Sequence, residues 1–238
     1  AGSNTLIRDK GVKGVVIKLG PTFSYTKLIN KNIIEAGAAT LDRKVADFAK
    51  QNSLTDLEFL SCIPGSIGGA IIMNSGCYDT DISNILISIK AIDKKKCKEV
   101  EIKKEQINFI YRDSNLSDDL IIISAKFRGT PGKKEIIEKK QLEFMERKKI
   151  SQPSQIKTCG STFKNISKEK KAWMFIKESG CENFKEGEAS ISKKHCNFFV
   201  NEGKAKSADI EKLIFKVKKT VYEKTRVNLY IEIKIIGE

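Results

Sequence analysis

Histidine is almost missing from this 238-residue sequence: His195 is the only one, which excludes a multi-histidine metal site. No run reaches the roughly 18 apolar residues that a membrane-spanning helix requires. The opening Ala1-Gly2-Ser3-Asn4 lacks the basic stretch followed by an apolar one that marks a secretory signal. The six cysteines, Cys62, Cys77, Cys97, Cys159, Cys181 and Cys196, form no CxxC pair and no Cys/His metal spacing. They are therefore expected to be reduced thiols in a cytoplasmic protein. There is no GxSxG nucleophile elbow, no GxGxxG dinucleotide fingerprint and no P-loop.

What is present is a soluble-protein composition, 40% apolar and 31% charged, with a formal net charge of +14. Such a charge attracts polyanions. A nucleic-acid reader, however, gathers its basic residues on one element, often with interleaved aromatics. Here they are scattered, as Lys94-Lys95-Lys96, Lys133-Lys134, Lys148-Lys149, Lys168 to Lys171 and Lys218-Lys219. The expectation is a solvated surface with a bias towards anionic ligands, no nucleic-acid or membrane partner, and a monomer.

The first half reads as strands and turns with one clear helix. Val15-Val16-Ile17 is a short apolar run, and Thr40 is placed to cap a helix through about Asn52 with Val45, Phe48 and Ala49 inward. Ile85, Ile87, Ile89 and Ala91 alternate as in a strand, and Ile121 to Phe127 is another strand-like run. Thr130-Pro131-Gly132 breaks the pattern. Beyond it, Lys133 to Lys149 predicts a charged helix, Ala172 to Ile176 a short one stopped by Gly180, and Ser207 caps a third. In that third helix Ile210, Leu213, Ile214, Val217 and Val221 form one stripe. The last predicted strand carries Leu229, Ile231, Ile233 and Ile235 on one face. An α+β chain of two domains follows, 1–131 and 132–238.

The least ordinary stretch is Ile63-Pro64-Gly65-Ser66-Ile67-Gly68-Gly69-Ala70, continuing through Met73-Asn74-Ser75-Gly76. Glycines here serve either as tight turns or as a place where backbone N–H groups come close to a pyrophosphate. Ala1-Gly2-Ser3-Asn4 offers a second loop of that kind.

These strings, with Leu57 to Cys62 before them and Arg8-Asp9 after the first loop, resemble the flavin-binding signatures of the UDP-N-acetylenolpyruvoylglucosamine reductase (UDP-N-acetylmuramate dehydrogenase) family. The likeness runs along nearly the whole chain, and the short separation from Arg112 to Ser161 resembles the compact subtype. It implies a FAD-binding lobe of the vanillyl-alcohol-oxidase-like (PCMH) type followed by a smaller α+β substrate-binding lobe. It also implies FAD contacts at Gly2, Ser3, Asn4, Pro64, Gly65, Ser66, Gly68, Gly69, Ala70, Asn74 and Gly76. Family members carry a further βα subdomain ahead of the Gly-Ser-Asn loop. The sequence is therefore expected to be N-terminally truncated, lacking that first subdomain, and to hold FAD weakly.

Three segments would carry chemistry. Arg112, in Tyr111-Arg112-Asp113-Ser114, reads either as a surface cation or as a stabiliser of a developing enolate. Ser161, in Cys159-Gly160-Ser161-Thr162-Phe163-Lys164-Asn165, is a turn serine or a positioned proton donor. Glu232, which shares a strand face with Tyr230 and Lys234, belongs to an exposed ladder or to a site. The resemblance implies catalytic roles for Arg112, Ser161 and Glu232, and substrate contacts for Tyr111, Lys149, Asn165 and Lys234. Two departures from the family pattern are Ile166 for a proline and Lys234 for an arginine; the second loses bidentate geometry. His195 reads as a packing residue or a ligand contact.

The implied reaction is ping-pong. NADPH reduces FAD, hydride passes to the vinyl terminus of the enolpyruvyl substrate, Arg112 and Glu232 stabilise the enol-like species, and Ser161 protonates it. The alternatives are another FAD-dependent oxidoreductase of the same fold, or a basic nucleic-acid-binding protein without catalysis.

Overall fold

In the computed structural model, which describes residues 1–238, the segments packed with the first core are held by an antiparallel sheet of five strands. Leu120–Arg128 is central, between Ile33–Gly37 and Leu86–Asp93, with Thr26–Asn30 and Lys98–Lys103 outside them. Helices α1 (Asp42–Gln51), α2 (Ile67–Ile72) and α3 (Ile82–Ile85) share its apolar core. Val45, Ala46 and Ala49 from α1 and Ile67, Ala70 and Ile71 from α2 bury against Ile34, Ile89, Ala125 and Phe127. Each fully buried aliphatic side chain of this kind contributes about 1.5–3 kcal/mol of transfer free energy.

Two local expectations change here. Thr40 does not cap α1, because its hydroxyl donates to the Tyr25 carbonyl at 2.8 Å and Leu41 stands at the cap position. The alternation from Ile85 to Ala91 is also broken. Ile85 closes α3, and register shifts against the central strand bury Leu86, Ser88, Ile89 and Ala91 while leaving Ile87 half-buried. Val15-Val16-Ile17 form no regular element and are largely exposed.

Helix α4 (Lys134–Ser151) docks on this core through Phe144, Met145 and the buried Gln141, whose amide donates to the Ala46 carbonyl at 3.0 Å. Leu142, on the same helix, is exposed.

The second unit holds a four-stranded antiparallel sheet in the order Lys157–Ser161, Phe198–Asn201, Ala189–Ile191, Lys185–Glu186. Helices α5 (Ala172–Glu178) and α6 (Ser207–Thr225) pack with it. The predicted α6 stripe, Ile210, Leu213, Ile214, Val217 and Val221, is buried throughout. Its cap differs from the expectation. Ser207 is the first helical residue and its hydroxyl has no partner, while Asp9 accepts the N–H groups of Ser207 and Ala208 at 2.9 and 3.2 Å. A parallel pair, Thr5–Ile7 with Lys234–Ile236, completes the unit.

Packing groups Ala1 with Lys18–Lys148, and Gly2–Ile17 with Lys149–Glu238. The sequence division at 131/132 differs, for two physical reasons. Thr130–Pro131 is itself a short strand paired with Leu54–Thr55, and Thr5–Ile7 finds its only strand partner at Lys234–Ile236. No helix is long and apolar enough to cross a membrane.

Candidate active site

In the first unit the glycine-rich stretch is tied down at both ends. The Ile67 and Gly68 N–H groups donate to the Thr40 and Ala38 carbonyls, both at 2.9 Å. Gly68 packs closely, and a Cβ there would crowd Ala38 Cβ at 3.2 Å. Further on, buried Asn74 donates to the Ile110 carbonyl at 3.2 Å and accepts the Ser83 N–H at 3.0 Å.

That second end meets the Tyr111-Arg112 segment. Ile110 and Asp113 exchange backbone bonds across a tight turn, which puts Arg112 at φ +58°. A non-glycine residue held left-handed costs free energy, and such positions gather at functional sites. The Arg112 guanidinium donates to the Gly76 carbonyl at 2.9 Å and lies 4.9 Å from the centroid of the Tyr111 ring. The Ser114 hydroxyl donates to the Ile72 carbonyl at 3.0 Å, just past α2. Arg112, Tyr111 and the residues from Pro64 to Gly76 are thus one hydrogen-bonded assembly.

In the second unit Ser161 ends the Lys157–Ser161 strand after Gly160, which sits at φ +85°. Asn197 holds the turn that follows. Its carbonyl accepts Thr162 N–H at 2.7 Å, its side-chain oxygen accepts Phe163 N–H at 3.0 Å, and its amide donates to the Phe163 carbonyl at 2.8 Å. The next segment runs beside Tyr230–Glu232: Glu232 N–H donates to the Thr162 carbonyl and Lys164 N–H to the Tyr230 carbonyl, both at 2.8 Å. Asn4 joins them, donating to the Glu232 carbonyl at 3.1 Å and accepting Lys234 N–H at 2.8 Å. Ser161, Glu232, Lys234 and Asn4 therefore belong to neighbouring strands of one lattice.

The remaining predicted residues sit differently. Asn165 accepts Ala172 N–H at 3.1 Å, so part of its side chain serves α5. Lys149 is exposed, and its carbonyl receives the Lys194 ammonium at 2.5 Å. His195 packs edge-on to Trp173 and Phe198, and its Nδ1 accepts Asn197 N–H at 3.2 Å. Burial holds its pKa below the usual imidazole range, as expected for a packing residue. Asn197, whose role sequence reasoning missed, left one signal: an amide that precedes two phenylalanines and becomes buried needs several partners.

The residues fit a flavin dinucleotide. Gly69 is exposed in the first turn of α2, where a Cβ would meet nothing nearer than Ser66 Oγ at 4.0 Å. Gly2, at φ +79°, has nothing within 4 Å of a Cβ position. Both leave backbone open to a bulky anionic group, and Ser66 makes no side-chain capping bond to α2.

Fold and loops together define a FAD-binding oxidoreductase, and the FAD binding domain family matches residues 1–102. The family described as UDP-N-acetylenolpyruvoylglucosamine reductase, C-terminal domain, matches residues 152–236. A UDP-N-acetylenolpyruvoylglucosamine reductase of Pelagibacter ubique is 47% identical over 238 residues, covering 99% of this chain and 78% of that protein. One of Rickettsia felis is 40% identical, covering 100% and 79%. The crystal structure of UDP-N-acetylenolpyruvylglucosamine reductase from Thermus caldophilus superposes with a TM-score of 0.87 at 30% identity, covering 99% of this chain and 83% of that one. The chain belongs to the UDP-N-acetylenolpyruvoylglucosamine reductase family.

Proposed function

We propose that this protein reduces UDP-N-acetylenolpyruvoylglucosamine to UDP-N-acetylmuramate, with NADPH as the reductant, as a cytoplasmic monomer making peptidoglycan precursors. The observation that carries this reading is the pairing of the Ser161–Asn165 segment with Tyr230–Glu232, which flavin binding alone does not require. The family resemblance gives Gly2–Asn4 and Pro64–Gly76 to FAD, which when bound would supply the hydride-transfer chemistry.

The chain's own residues would supply the rest. Arg112, fixed through the Gly76 carbonyl, presents a permanent positive charge to the oxygen that gains charge as hydride arrives. Glu232 would share in stabilising that enol-like species. Ser161 would hand its hydroxyl proton to the carbon beside the carboxylate. Asn197 and the left-handed Gly160 fix the backbone on either side of Ser161. Tyr111, Lys149, Asn165 and Lys234 would contact the sugar nucleotide. The basic surface would favour this anionic substrate rather than nucleic acid.

The test is the visible spectrum of the protein purified from its complete reading frame. Flavin bands that bleach with NADPH and return when the enolpyruvyl sugar nucleotide is added are the expected result. A protein that stays colourless after reconstitution with FAD would remove the reading.

A further inference from the structure

All six cysteines are free thiols, and two of them bracket the glycine-rich stretch. Cys62 ends the Glu58–Cys62 turn directly before Ile63-Pro64-Gly65, and Cys77 directly follows Gly76. Although 15 positions apart in sequence, the two thiols meet at one turn, because the Gly76–Cys77 strand packs against Glu58–Cys62. Cys77 also donates to the Phe59 carbonyl at 3.6 Å, Ser61 Oγ lies 3.7 Å from the Cys62 sulfur, and Lys148 donates to the Cys62 carbonyl at 2.7 Å. Cys62 is buried and Cys77 half-buried.

We propose that Cys62 and Cys77 form a reversible dithiol–disulfide pair whose oxidation displaces Arg112 through the Gly76 carbonyl. The consequence for turnover rests on the reading of Arg112 given under Proposed function; formation of the bond does not. The surroundings favour one thiolate. The neighbouring Cys77 and Ser61 groups, with the Lys148 charge added, hold the Cys62 thiol below its ordinary range, while the Cys62 sulfur and burial push Cys77 up.

With hydrogen peroxide as oxidant, the Cys62 thiolate attacks one oxygen, the O–O bond breaks, and hydroxide leaves a sulfenic acid. The Cys77 sulfur then displaces the sulfenic hydroxyl, which departs as water with the Cys77 proton, and the hydroxide takes up the proton that Cys62 had lost. In sum, two thiols and one peroxide give one disulfide and two waters; the sulfurs lose two electrons and the peroxide gains them.

Bond formation pulls the Gly76–Cys77 segment towards the Glu58–Cys62 turn. Gly76 cannot absorb the movement by sliding sideways, because its Cα already abuts Thr80 and Asp81 closely enough that a Cβ would overlap both. Its carbonyl, which holds the Arg112 guanidinium, moves with it. A displacement of about 1 Å in a catalytic group can cost on the order of a hundredfold in rate.

The test treats the purified protein with a slight excess of hydrogen peroxide, alkylates the remaining thiols and maps the peptides. A Cys62–Cys77 linked peptide that dithiothreitol removes is expected, with the other four cysteines alkylated. Turnover should fall at least about tenfold and recover with dithiothreitol, while NADPH still bleaches the flavin at its original rate. Cys77→Ser should keep its reduced turnover and give, at Cys62, a sulfenic acid that dimedone traps. Absence of the linked peptide overturns the proposal, and so does a linked protein with unchanged turnover. A reduced protein with no reductase activity at all sinks the functional reading instead, and the peptide map then decides bond formation by itself.

Discussion

Arg112 combines a backbone strained into the left-handed region with a guanidinium bonded to a carbonyl of the glycine-rich stretch. Lysine at this position keeps the charge but loses the planar fork that reaches Gly76 while lying over Tyr111. Arg112→Lys is expected to slow re-oxidation of the reduced protein by substrate roughly 10–100-fold, with flavin reduction by NADPH unchanged; stopped-flow traces of the two half-reactions separate them. Asp42 makes a second case at this scale. Its carboxylate is fully buried with no hydrogen-bond partner, and desolvation pushes its pKa up to about 7 from an ordinary 3.8. A raised carboxyl pKa means that the folded state prefers the protonated form. The associated stability is therefore complete below pH 4 and is lost as pH rises through 7. Asp42→Asn should stabilise the protein at pH 8 by a few kcal/mol, on the order of the pKa displacement, and have little effect at pH 4. Urea midpoints for both proteins at the two pH values check this, and parallel pH profiles would refute it. Arg112, Ser161 and Glu232 could be proposed from the sequence because each stands in a short string that resembles a family motif. Asn197 and Asp9 were not, because their meaning lies in partners 34 and 198 residues away.

Among the elements, α6 was read correctly from its stripe and misread at its cap. A serine at the start of an apolar period is a sound local signal, yet Asp9 brings two carboxylate oxygens to the same N–H groups and leaves Ser207 Oγ idle. Asp9→Ala is expected to lower the thermal midpoint by a few degrees, whereas Ser207→Ala changes it little. The Asp9 pKa is held down chiefly by the Ser207 and Ala208 N–H groups. Its contribution is therefore present above the ordinary aspartate pKa and fades as pH falls through the depressed value. Differential scanning calorimetry at pH 7 and near pH 3 should show the gap between wild type and Asp9→Ala closing in acid. The final strand teaches a related lesson. Alternation from Leu229 to Ile235 survives in the burial, but the ladder proper starts at Lys234, where Thr5–Ile7 supplies a partner, and Ile231 makes only an isolated bridge to Phe163. Periodicity reports which face is inward; ladder extent depends on a neighbour that the local sequence does not contain.

For the whole molecule, composition and collinear motifs carried the fold class and the family, while the division of the chain by packing depended on a pairing between distant segments. The charge of +14 belongs to this scale as well. Because the excess is spread over the surface, it acts as a long-range field on the nucleotide substrate. Raising ionic strength from about 0.02 to 0.3 M shortens the screening length several-fold, so KM for the sugar nucleotide should rise severalfold while kcat holds. Steady-state kinetics at matched pH would show it, and a salt-independent KM would mean that local contacts alone govern capture. The parallel pair that joins Thr5–Ile7 to Lys234–Ile236 also has a consequence in time. Asn4 and Glu232 bond across 228 residues, so on the ribosome the early strand must wait until that stretch has been made. At about 5–20 residues per second the wait is roughly eleven to forty-six seconds. Meanwhile Lys18–Lys148, continuous in sequence, is free to fold as it emerges. Nascent chains stalled before residue 229 should therefore protect the first unit from protease and leave the Gly2–Ile17 segment open to cleavage.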